Sequence, residues 1–316
     1  MTEVLVTGAS GFIGRPAVAA LAGGCYAVRA AVRRPPQPPF APAIEVMQHR
    51  DLRQSFDWAP LLAGVGKVVH LAGVTPSRGD APDDYDAVNR AATARLAAAA
   101  ARAGVDHFVF VSSIGAQTGP SADHALNERD QAAPTDAYGR SKLAGEAAVR
   151  DSGVPFTILR PVPIYGPGVK GFLGLLLRAA LSPLPLPLEH VVSRRSLLGI
   201  DNFVSALAFV LGEPAAGETY VVADPGIPPK LADIVATLRR AQGRWPLIVP
   251  MSTDYVEQPL RLIGRADLWE RIGGSLRVDP GKLIAAGWQP VDDTRAGFAA
   301  LAKTVAARKP PERGAR

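Results

Sequence analysis

The sequence predicts an α/β fold in which a Rossmann-type, doubly wound parallel sheet is joined by a smaller, discontinuous C-terminal substrate domain. Short apolar segments of strand composition alternate with helical segments through residue 161, as they do in proteins with parallel sheets. A glycine-rich turn joins the first strand to the first helix, where such folds bind phosphate groups. The alternation stops at the proline- and glycine-rich residues 164–168, so we expect the substrate domain to begin there.

The composition is that of a globular protein and excludes several functional classes. With 316 residues and 47% hydrophobic content, the chain can bury a large core. Its single cysteine, Cys25, excludes an intramolecular disulfide and gives no metal-ligand cluster, so we expect no metal site. The net charge is +6, but the basic residues are scattered, so phosphate-bearing small molecules are expected as partners rather than nucleic acid.

The sequence contains no predicted membrane span or signal peptide. The most apolar run, residues 172–188, is interrupted by one arginine and three prolines, which disfavour a bilayer-spanning helix. The N-terminus enters a strand at residue 3, without a basic segment followed by a long apolar one. We therefore expect a cytoplasmic protein with no membrane partner.

The first strand, residues 3–7, leads into the glycine-rich turn, and a helical run follows to residue 21. Gly8, Gly11 and Gly14 allow the backbone to turn tightly and to approach a pyrophosphate, whose charge then lies at the helix N-terminus. Because the glycines stand between a strand and a helix, they predict a dinucleotide-binding site.

The second strand, residues 26–32, is followed by Arg33, where an acidic residue would normally bind the ribose hydroxyls of NAD. A guanidinium at this point favours the 2′-phosphate of NADP, through charge-assisted hydrogen bonds. One arginine can also lie on a ribose without that phosphate, or be an exposed charge before a proline turn. The cofactor is therefore predicted to be NAD or NADP, with Arg33 favouring NADP.

Two further strands are predicted at residues 44–47 and 67–73. Asp51 and Leu52 follow the third strand, where a carboxylate can accept a hydrogen bond from an adenine amino group. The fourth strand ends in small residues that leave room for a cofactor. Residues 83–103 form an alanine-rich helix, which packs against a second subunit or is buried in its own domain.

The next predicted strand, residues 108–113, ends in Ser112 and Ser113, at the same sheet edge as the glycine-rich turn. Tyr138 and Lys142 are four residues apart in a helical segment, so both side chains lie on one helix face. The ammonium is expected to lower the phenol pKa from its usual value of about 10. The pair then forms a proton shuttle, and Ser113 hydrogen-bonds to a substrate oxygen beside the phenol. Alternatively, Tyr138 and Lys142 are a surface pair and Ser113 is an ordinary strand-end serine.

The predicted domain organisation is discontinuous. Residues 1–163 and about 196–224 form the dinucleotide-binding domain, because a helix at 201–211 and a strand at 219–223 return to the sheet. Residues 164–195 and about 225–308 form the substrate-binding domain, and residues 309–316 form a flexible tail. The proline-dense segment 183–187 is expected to be a stiff loop over the substrate.

These residues together resemble the extended short-chain dehydrogenase/reductase superfamily, and in particular its nucleotide-sugar epimerase/dehydratase branch. The resemblance covers nearly the whole chain, and residues 194–202 and 274–279 are similar to a UDP-glucose 4-epimerase-like subgroup. The motifs that carry the resemblance are Thr7 to Gly14, Asp51-Leu52, His70-Leu71-Ala72-Gly73, Asn89, Ser112-Ser113, Tyr138 to Lys142, Leu159-Arg160-Pro161, Tyr165-Gly166-Pro167, Asp201-Asn202 and Gly287-Trp288-Gln289-Pro290.

The resemblance implies an NAD(P)-dependent enzyme that acts on a sugar nucleotide, UDP-linked, in bacterial surface polysaccharide synthesis. It implies Tyr138, Lys142 and Ser113 as the catalytic residues, and Arg195 at the substrate diphosphate, with Arg277 as a weaker candidate for the same role. Together with the positions described above, the predicted cofactor-binding residues are Gly8, Gly11, Phe12, Ile13, Gly14, Arg33, Asp51, Leu52, Leu71, Ala72, Gly73, Asn89, Ser112, Tyr138, Lys142 and Pro161.

Three departures from the family pattern bear on the reaction. Phe172 stands where an asparagine often contacts the nucleotide, and Gln117 stands where many relatives carry a tyrosine. Ser113 is followed by Ile114-Gly115 and not by the Asp-Glu pair with which dehydratases remove water, so we do not expect a 4,6-dehydratase. We expect a 4-epimerase. An NADPH-dependent 4-keto-sugar reductase, a small-ketone reductase and a non-catalytic NADP sensor are the alternatives.

Overall fold

The computed structural model describes residues 1–76, 82–212, 216–262, 264 and 266–307. Its strands are β1 (Thr2–Thr7), β2 (Tyr26–Val32), β3 (Glu45–Gln48), β4 (Lys67–His70), β5 (His107–Val111), β6 (Ala125–Leu126), β7 (Phe156–Pro161), β8 (Ile164–Tyr165), β9 (Leu198–Gly199), β10 (Glu218–Val222) and β11 (Arg277–Val278). Seven of them form one parallel sheet in the order β10-β7-β5-β4-β1-β2-β3. This sheet confirms the predicted Rossmann-type fold class.

The strand order reverses between β1 and β4. Strands β2 and β3 extend the sheet on one side of β1, and β4, β5, β7 and β10 extend it on the other. Ligands of such sheets bind outside the carboxyl ends of the strands at this reversal. The glycine-rich turn follows β1 and residues 71–73 follow β4, so the fold brings both predicted cofactor segments to this point.

The helices surround the sheet and continue beyond it. They are α1 (Gly14–Ala22), α2 (Ala59–Leu62), α3 (Pro82–Tyr85), α4 (Thr93–Arg102), α5 (Ala137–Asp151), α6 (Gly171–Leu181), α7 (Ile200–Gly212), α8 (Leu231–Arg240), α9 (Asp254–Leu262), α10 (Ala266–Gly273), α11 (Gly281–Ala285) and α12 (Thr294–Ala307). The helix predicted at 83–103 is divided, because a π-helical segment, Asp86–Ala92, joins α3 to α4. No helix in the described ranges is both long and apolar enough to cross a bilayer.

Alternate residues of β1 pack on opposite faces of the sheet, as the strand pleat requires. Val4 and Val6 join a core with α1 and α7, whereas Leu5 joins a core with α4. A third apolar cluster, which includes Leu176 and Ile234, is built largely from α6, α8 and α12. This cluster agrees with a separate substrate-binding domain, whose bounds stay a prediction. The predicted tail, residues 309–316, lies outside the described residues.

Candidate active site

The glycine-rich turn joins β1 to α1 so closely that side chains are excluded. Gly8 has a left-handed φ of 67°, and a Cβ atom there would lie 2.8 Å from the Ala72 nitrogen. A Cβ atom on Gly14 would collide with the carbonyl oxygens of Gly8 and Ala9. The N-terminus of α1 therefore lies directly after the carboxyl end of β1, with the positive end of the helix dipole toward the cradle. This cradle fits a dinucleotide pyrophosphate, which Gly8, Gly11 and Gly14 would hold.

A buried histidine, to which the sequence analysis assigned no role, supports the cradle. His70 Nδ1 lies 2.7 Å from Thr7 Oγ1, and its Nε2 lies 2.9 Å from Thr93 Oγ1. Burial lowers the pKa of His70 to about 3, and the Lys142 charge adds to this shift, so the ring is neutral. The Thr7 hydroxyl also accepts a hydrogen bond from the Ala72 N–H at 3.3 Å. These bonds fix β1, β4 and α4 relative to one another beside the cofactor cradle.

Tyr138 and Ser113 converge at the carboxyl end of β5. A Cβ atom on Gly115 would lie 3.3 Å from Ser113 Oγ and 3.5 Å from Tyr138 Cε1, so both side chains lie over this glycine. Ser113 Oγ also accepts a hydrogen bond from the Gly115 N–H at 3.0 Å. Lys142 lies one turn further along α5 and donates from Nζ to the Val111 carbonyl at 3.0 Å. The structure therefore brings the three predicted catalytic residues together, at the strand edge where the sequence analysis expected them.

Two glycines of α5, which the sequence analysis did not single out, allow this close approach. The helix begins after Asp136, whose carboxylate accepts a hydrogen bond from the Gly139 N–H at 2.6 Å. A Cβ atom on Gly139 would collide with the Gly115 carbonyl, and one on Gly145 would lie 2.5 Å from the Asn89 carbonyl oxygen. Only glycine therefore lets α5 lie against both the turn after β5 and the π-helical segment.

The protonation of the Tyr138–Lys142 pair differs from the sequence prediction. Burial raises the pKa of Tyr138, and the hydrogen bond from Ser113 opposes this shift only in part. Burial also lowers the pKa of Lys142 to about 8, although the Glu146 carboxylate acts in the opposite direction. The expected lowering of the phenol pKa was therefore wrong. Desolvation is the largest cause of both pKa shifts, because burial disfavours the charged phenolate and the charged ammonium.

A buried ion-pair network, also missed from the sequence, lies one turn beyond Lys142. The Glu146 carboxylate accepts two hydrogen bonds from the Arg160 guanidinium, at 2.9 and 2.7 Å, and one from the Ser112 hydroxyl at 2.6 Å. Arg160 also donates to the side-chain oxygen of Gln117 at 3.1 Å. Ser112, predicted to bind the cofactor, thus uses its hydroxyl to join β5 to α5. The sequence signal was the four-residue spacing of Lys142 and Glu146.

Asn89, another predicted cofactor residue, shapes the segment that follows β4. Its side chain accepts from the Val74 N–H at 2.9 Å, donates to the Val74 carbonyl at 3.0 Å and donates to Ser141 Oγ at 3.0 Å. A Cβ atom on Gly73 would lie 2.9 Å from Asn89 Oδ1 and 3.2 Å from Lys142 Nζ. Gly73 therefore keeps the space above the Lys142 ammonium open, as the predicted room for a cofactor requires.

Arg33 and Asp51 meet at the carboxyl ends of β2 and β3. Their side chains form an ion pair of 3.6 Å, and Arg33 is 60% exposed. The Arg53 N–H and the Arg33 and Arg53 charges hold the pKa of Asp51 below its usual value, so it is ionised. An exposed guanidinium beside the cofactor cradle can bind a phosphate, but it must leave Asp51 to do so.

The remaining predicted cofactor residues lie along the same edge of the sheet. Phe12 and Ile13 are half-buried in the glycine-rich turn. Leu52 lies after β3, Leu71 lies after β4, and Pro161 is the last residue of β7. The strand ends therefore bring all three to the edge where the cradle opens.

Arg195 and Arg277, the predicted substrate residues, bind backbone in this structure. The Arg195 guanidinium donates to the Pro120 carbonyl at 3.0 and 3.1 Å and to the Gly274 carbonyl at 3.0 Å. Arg277 donates to the Asp123 carbonyl at 2.9 Å. Burial lowers the pKa of Arg195 to about 10. Both arginines reach the loop that follows Ser113 and Gln117, so they hold this loop in place.

The fold and the site define an enzyme class that binds a nicotinamide dinucleotide at the strand reversal and places a tyrosine, a lysine and a serine beside it. Residues 4–223 match the NAD dependent epimerase/dehydratase family. The chain belongs to this family and is an NAD(P)-dependent enzyme of the extended short-chain dehydrogenase/reductase type.

Two relatives of this chain have names that describe different reactions. A UDP-glucose 4-epimerase of Vibrio cholerae is 32% identical over 315 residues, which are 94% of this chain and 93% of the relative. A ceramide reductase of Caulobacter vibrioides is 36% identical over 215 residues, which are 68% of this chain and 62% of the relative.

Solved structures of the same fold contain bound NAD. MoeE5 in complex with UDP-glucose and NAD has a TM-score of 0.75 at 25% identity and covers 96% of this chain and 99% of that chain. UDP-glucuronic acid 4-epimerase from Bacillus cereus in complex with NAD has a TM-score of 0.77 at 20% identity, with 96% of each chain covered.

Proposed function

We propose that the protein is an NAD(P)-dependent nucleotide-sugar epimerase, which inverts C4 of a UDP-linked sugar through a 4-keto intermediate in surface polysaccharide synthesis. The observation that carries the proposal is the convergence of Ser113 and Tyr138 over Gly115, with Lys142 one turn away. Similarity to the Vibrio cholerae epimerase over 94% of the chain supports it.

In the proposed reaction, the Tyr138 phenolate takes the proton of the C4 hydroxyl, and Ser113 donates a hydrogen bond to the oxygen as it becomes a carbonyl. The Lys142 ammonium compensates the negative charge of the phenolate. A dinucleotide held by the glycine-rich turn would supply the hydride acceptor for C4 of the sugar. Tyr138 returns the proton to the C4 oxygen, and because the hydride also goes back to the sugar, the reaction consumes no cofactor.

The proposal includes a preference for NADP, supported by the exposed Arg33 at the end of β2. An arginine in this place favours a 2′-phosphate, whereas the Arg33–Asp51 pair opposes it. The test is the nucleotide that co-purifies with the protein. Release of NADP, and an NADPH affinity about tenfold lower in Arg33→Ala, would agree with the preference. Release of NAD, with NADPH affinity unchanged in the variant, would contradict it.

A cytoplasmic homodimer also belongs to the proposal. Leu96 and Ala100 of α4 are buried in the core of their own chain. This agrees with the alternative in which the alanine-rich helix is buried in its own domain. Ala94 and Ala98 are only half-buried, so a flat, small surface is left on α4 for a second subunit. Sedimentation of the purified protein as a monomer at all concentrations would contradict this part.

A specific observation favours ketone reduction as a second candidate. Arg195, expected at the diphosphate, has its guanidinium bonded to the Pro120 and Gly274 carbonyls and is only 3% exposed. A reductase of 4-keto sugars would still need this arginine, whereas a reductase of smaller or lipid ketones would not. Similarity to the ceramide reductase over 68% of the chain agrees with the latter.

The experiment that separates the candidates follows both the sugar and the cofactor. The protein is incubated with UDP-glucose and a trace of dinucleotide, and the products are separated by chromatography. An epimerase forms UDP-galactose without net loss of cofactor. Loss of NADPH absorbance in proportion to an added ketone, with no epimer formed from UDP-glucose, would replace the epimerase by a reductase.

A further inference from the structure

Two arginines hold two irregular segments of the C-terminal part together. Arg239, at the end of α8, is fully buried and donates to the carbonyls of Ala180 at 3.0 Å, Pro246 at 2.6 Å and Leu184 at 2.7 Å. Arg244 donates to the carbonyls of residues 181 and 182 at 2.7 and 3.0 Å. We call residues 182–187 and 244–249 the arginine-held tip. Its backbone is restrained by buried charge-assisted bonds.

The arginine-held tip exposes large apolar side chains that the fold could have buried. Trp245 is 83% exposed, Leu184 is 65% exposed and Leu247 is 46% exposed. Leu247 also has a φ of 46°, a strained conformation for a residue other than glycine, which persists only when its surroundings hold it. Exposed apolar groups on a restrained backbone are typical of a binding surface.

The charge around these side chains is mainly positive. Residues 178–188 and 239–251 contain four arginines, of which Arg178 and Arg240 are exposed, and the nearest acidic residue is Glu189 at the edge of the first range. Arg240 and Arg244 line a groove of about 510 Å³ together with Trp245 and Leu247. An occupant must therefore be both apolar and anionic. A second copy of the tip, and the tail at residues 308–316 with its four basic residues and one acidic residue, carry the same sign of charge.

We propose that the arginine-held tip docks on the surface of an anionic phospholipid bilayer. Tryptophan and leucine enter the boundary between headgroups and acyl chains, while arginines bind the headgroup phosphates. This docking needs no membrane span, but it departs from the expectation of a protein without a membrane partner. In this proposal the prolines of residues 183–187 belong to the docking surface, whereas their predicted place over the substrate stays a prediction.

The tip is separated from the predicted substrate side of the same lobe. Arg195 lies near the start of α8, because its backbone N–H donates a hydrogen bond to the Pro229 carbonyl. The tip lies beside Arg239, at the other end of this helix of ten residues, which is about 15 Å long. Variants of the tip therefore test docking without touching the proposed catalytic residues.

The test is sedimentation of the full chain with vesicles of phosphatidylcholine alone, or of phosphatidylcholine mixed with phosphatidylglycerol. We expect binding to the mixed vesicles only, weakened by salt. Trp245→Ser combined with Leu184→Ser is expected to weaken binding at least about tenfold, and Arg240→Gln about fivefold. Emission from Trp245 should shift to shorter wavelength on binding, and Trp245→Phe should lose this shift.

Ile227→Ser is the matched control, because Ile227 is 82% exposed but lies before the start of α8. It should bind vesicles as the parent does, and all variants should keep the parent melting temperature. Three outcomes would overturn the proposal: no binding to the mixed vesicles, equal binding to neutral vesicles, or equal loss in the Ile227 control. Self-association of the parent that the double variant abolishes, without vesicle binding, would instead assign the tip to a second copy. None of these measurements depends on which reaction the enzyme catalyses.

Discussion

The strand-end site and the C-terminal part of this protein are held together by different means. At the strand ends, glycines let backbone segments touch, as Gly8 does with Ala72 and Gly139 does with Gly115. In the C-terminal part, the guanidinium groups of Arg195 and Arg239 bind carbonyls of irregular segments and of the last turn of α6. The sheet satisfies its own backbone, whereas irregular segments need side-chain donors. The two regions should therefore respond differently to substitution.

The largest expected effect is on kcat, and it distinguishes the catalytic role of the strand-end site from its role in stability. Tyr138→Phe removes the proposed proton shuttle but no packing contact, so kcat should fall about 10²- to 10⁴-fold. The melting temperature and the dinucleotide affinity should stay those of the parent. Tyr255→Phe, at a position 73% exposed on α9, is the matched control. An unchanged kcat in folded, dinucleotide-loaded Tyr138→Phe would remove Tyr138 from the mechanism.

The next effect concerns the arginine-built region. Arg239→Ala leaves several buried carbonyls without a donor, so the free energy of unfolding should fall by about 3 kcal/mol or more. Dinucleotide affinity should change little, because the cradle lies in the other region. Denaturant unfolding measures the loss, and the adjacent exposed Arg240→Ala is the control. An equal loss in both variants would show that the carbonyl bonds do not stabilise the protein.

A smaller effect is expected at the cradle. Gly14→Ala places a Cβ atom against the Gly8 and Ala9 carbonyls, and overpacking of this kind costs about 1–3 kcal/mol. Dinucleotide affinity should fall at least about tenfold, as measured by calorimetry. Gly23→Ala, at the other end of α1, makes only an ordinary contact at 3.4 Å. If Gly23→Ala lowers the affinity as much, close backbone contact is not what shapes the cradle.

The smallest effect is a shift in pH dependence. Glu146 raises the pKa of Lys142, which burial holds at about 8. Glu146→Gln removes this carboxylate charge, so the pKa of Lys142 falls and its ammonium is lost at lower pH. The alkaline limb of the kcat/KM profile should move to lower pH relative to the parent.

The pH effect of Glu146→Gln must be distinguished from loss of structure. Glu218→Gln removes a half-exposed carboxylate that pairs with Lys282 at 2.6 Å, and it should leave the profile in place. A uniform loss of activity at every pH in Glu146→Gln would assign the network to packing alone.

The predicted fold class was confirmed, and the predicted catalytic and cofactor residues lie along one edge of the sheet. Their positions follow from strand ends, and the order of strands and turns is written in short apolar segments and glycines. The predicted pKa of Tyr138 was wrong, because burial of the phenol depends on neighbours such as Tyr85, at 6.0 Å between ring centroids. The roles of Asn89 and Ser112 were incomplete for the same reason. Their side chains bind Val74 and Glu146, partners that no spacing rule names.

The sequence by itself determined the alternation of strands and helices, the position of the glycine-rich turn and the Tyr138–Lys142 spacing, because these are patterns of residues close together along the chain. Only the tertiary structure decided what each arginine binds. Arg195 and Gly274 are 79 residues apart, and Arg239 and Leu184 are 55 residues apart. The physical reason is that a guanidinium binds any carbonyl within reach, so its partner is set by long-range packing and not by local pattern.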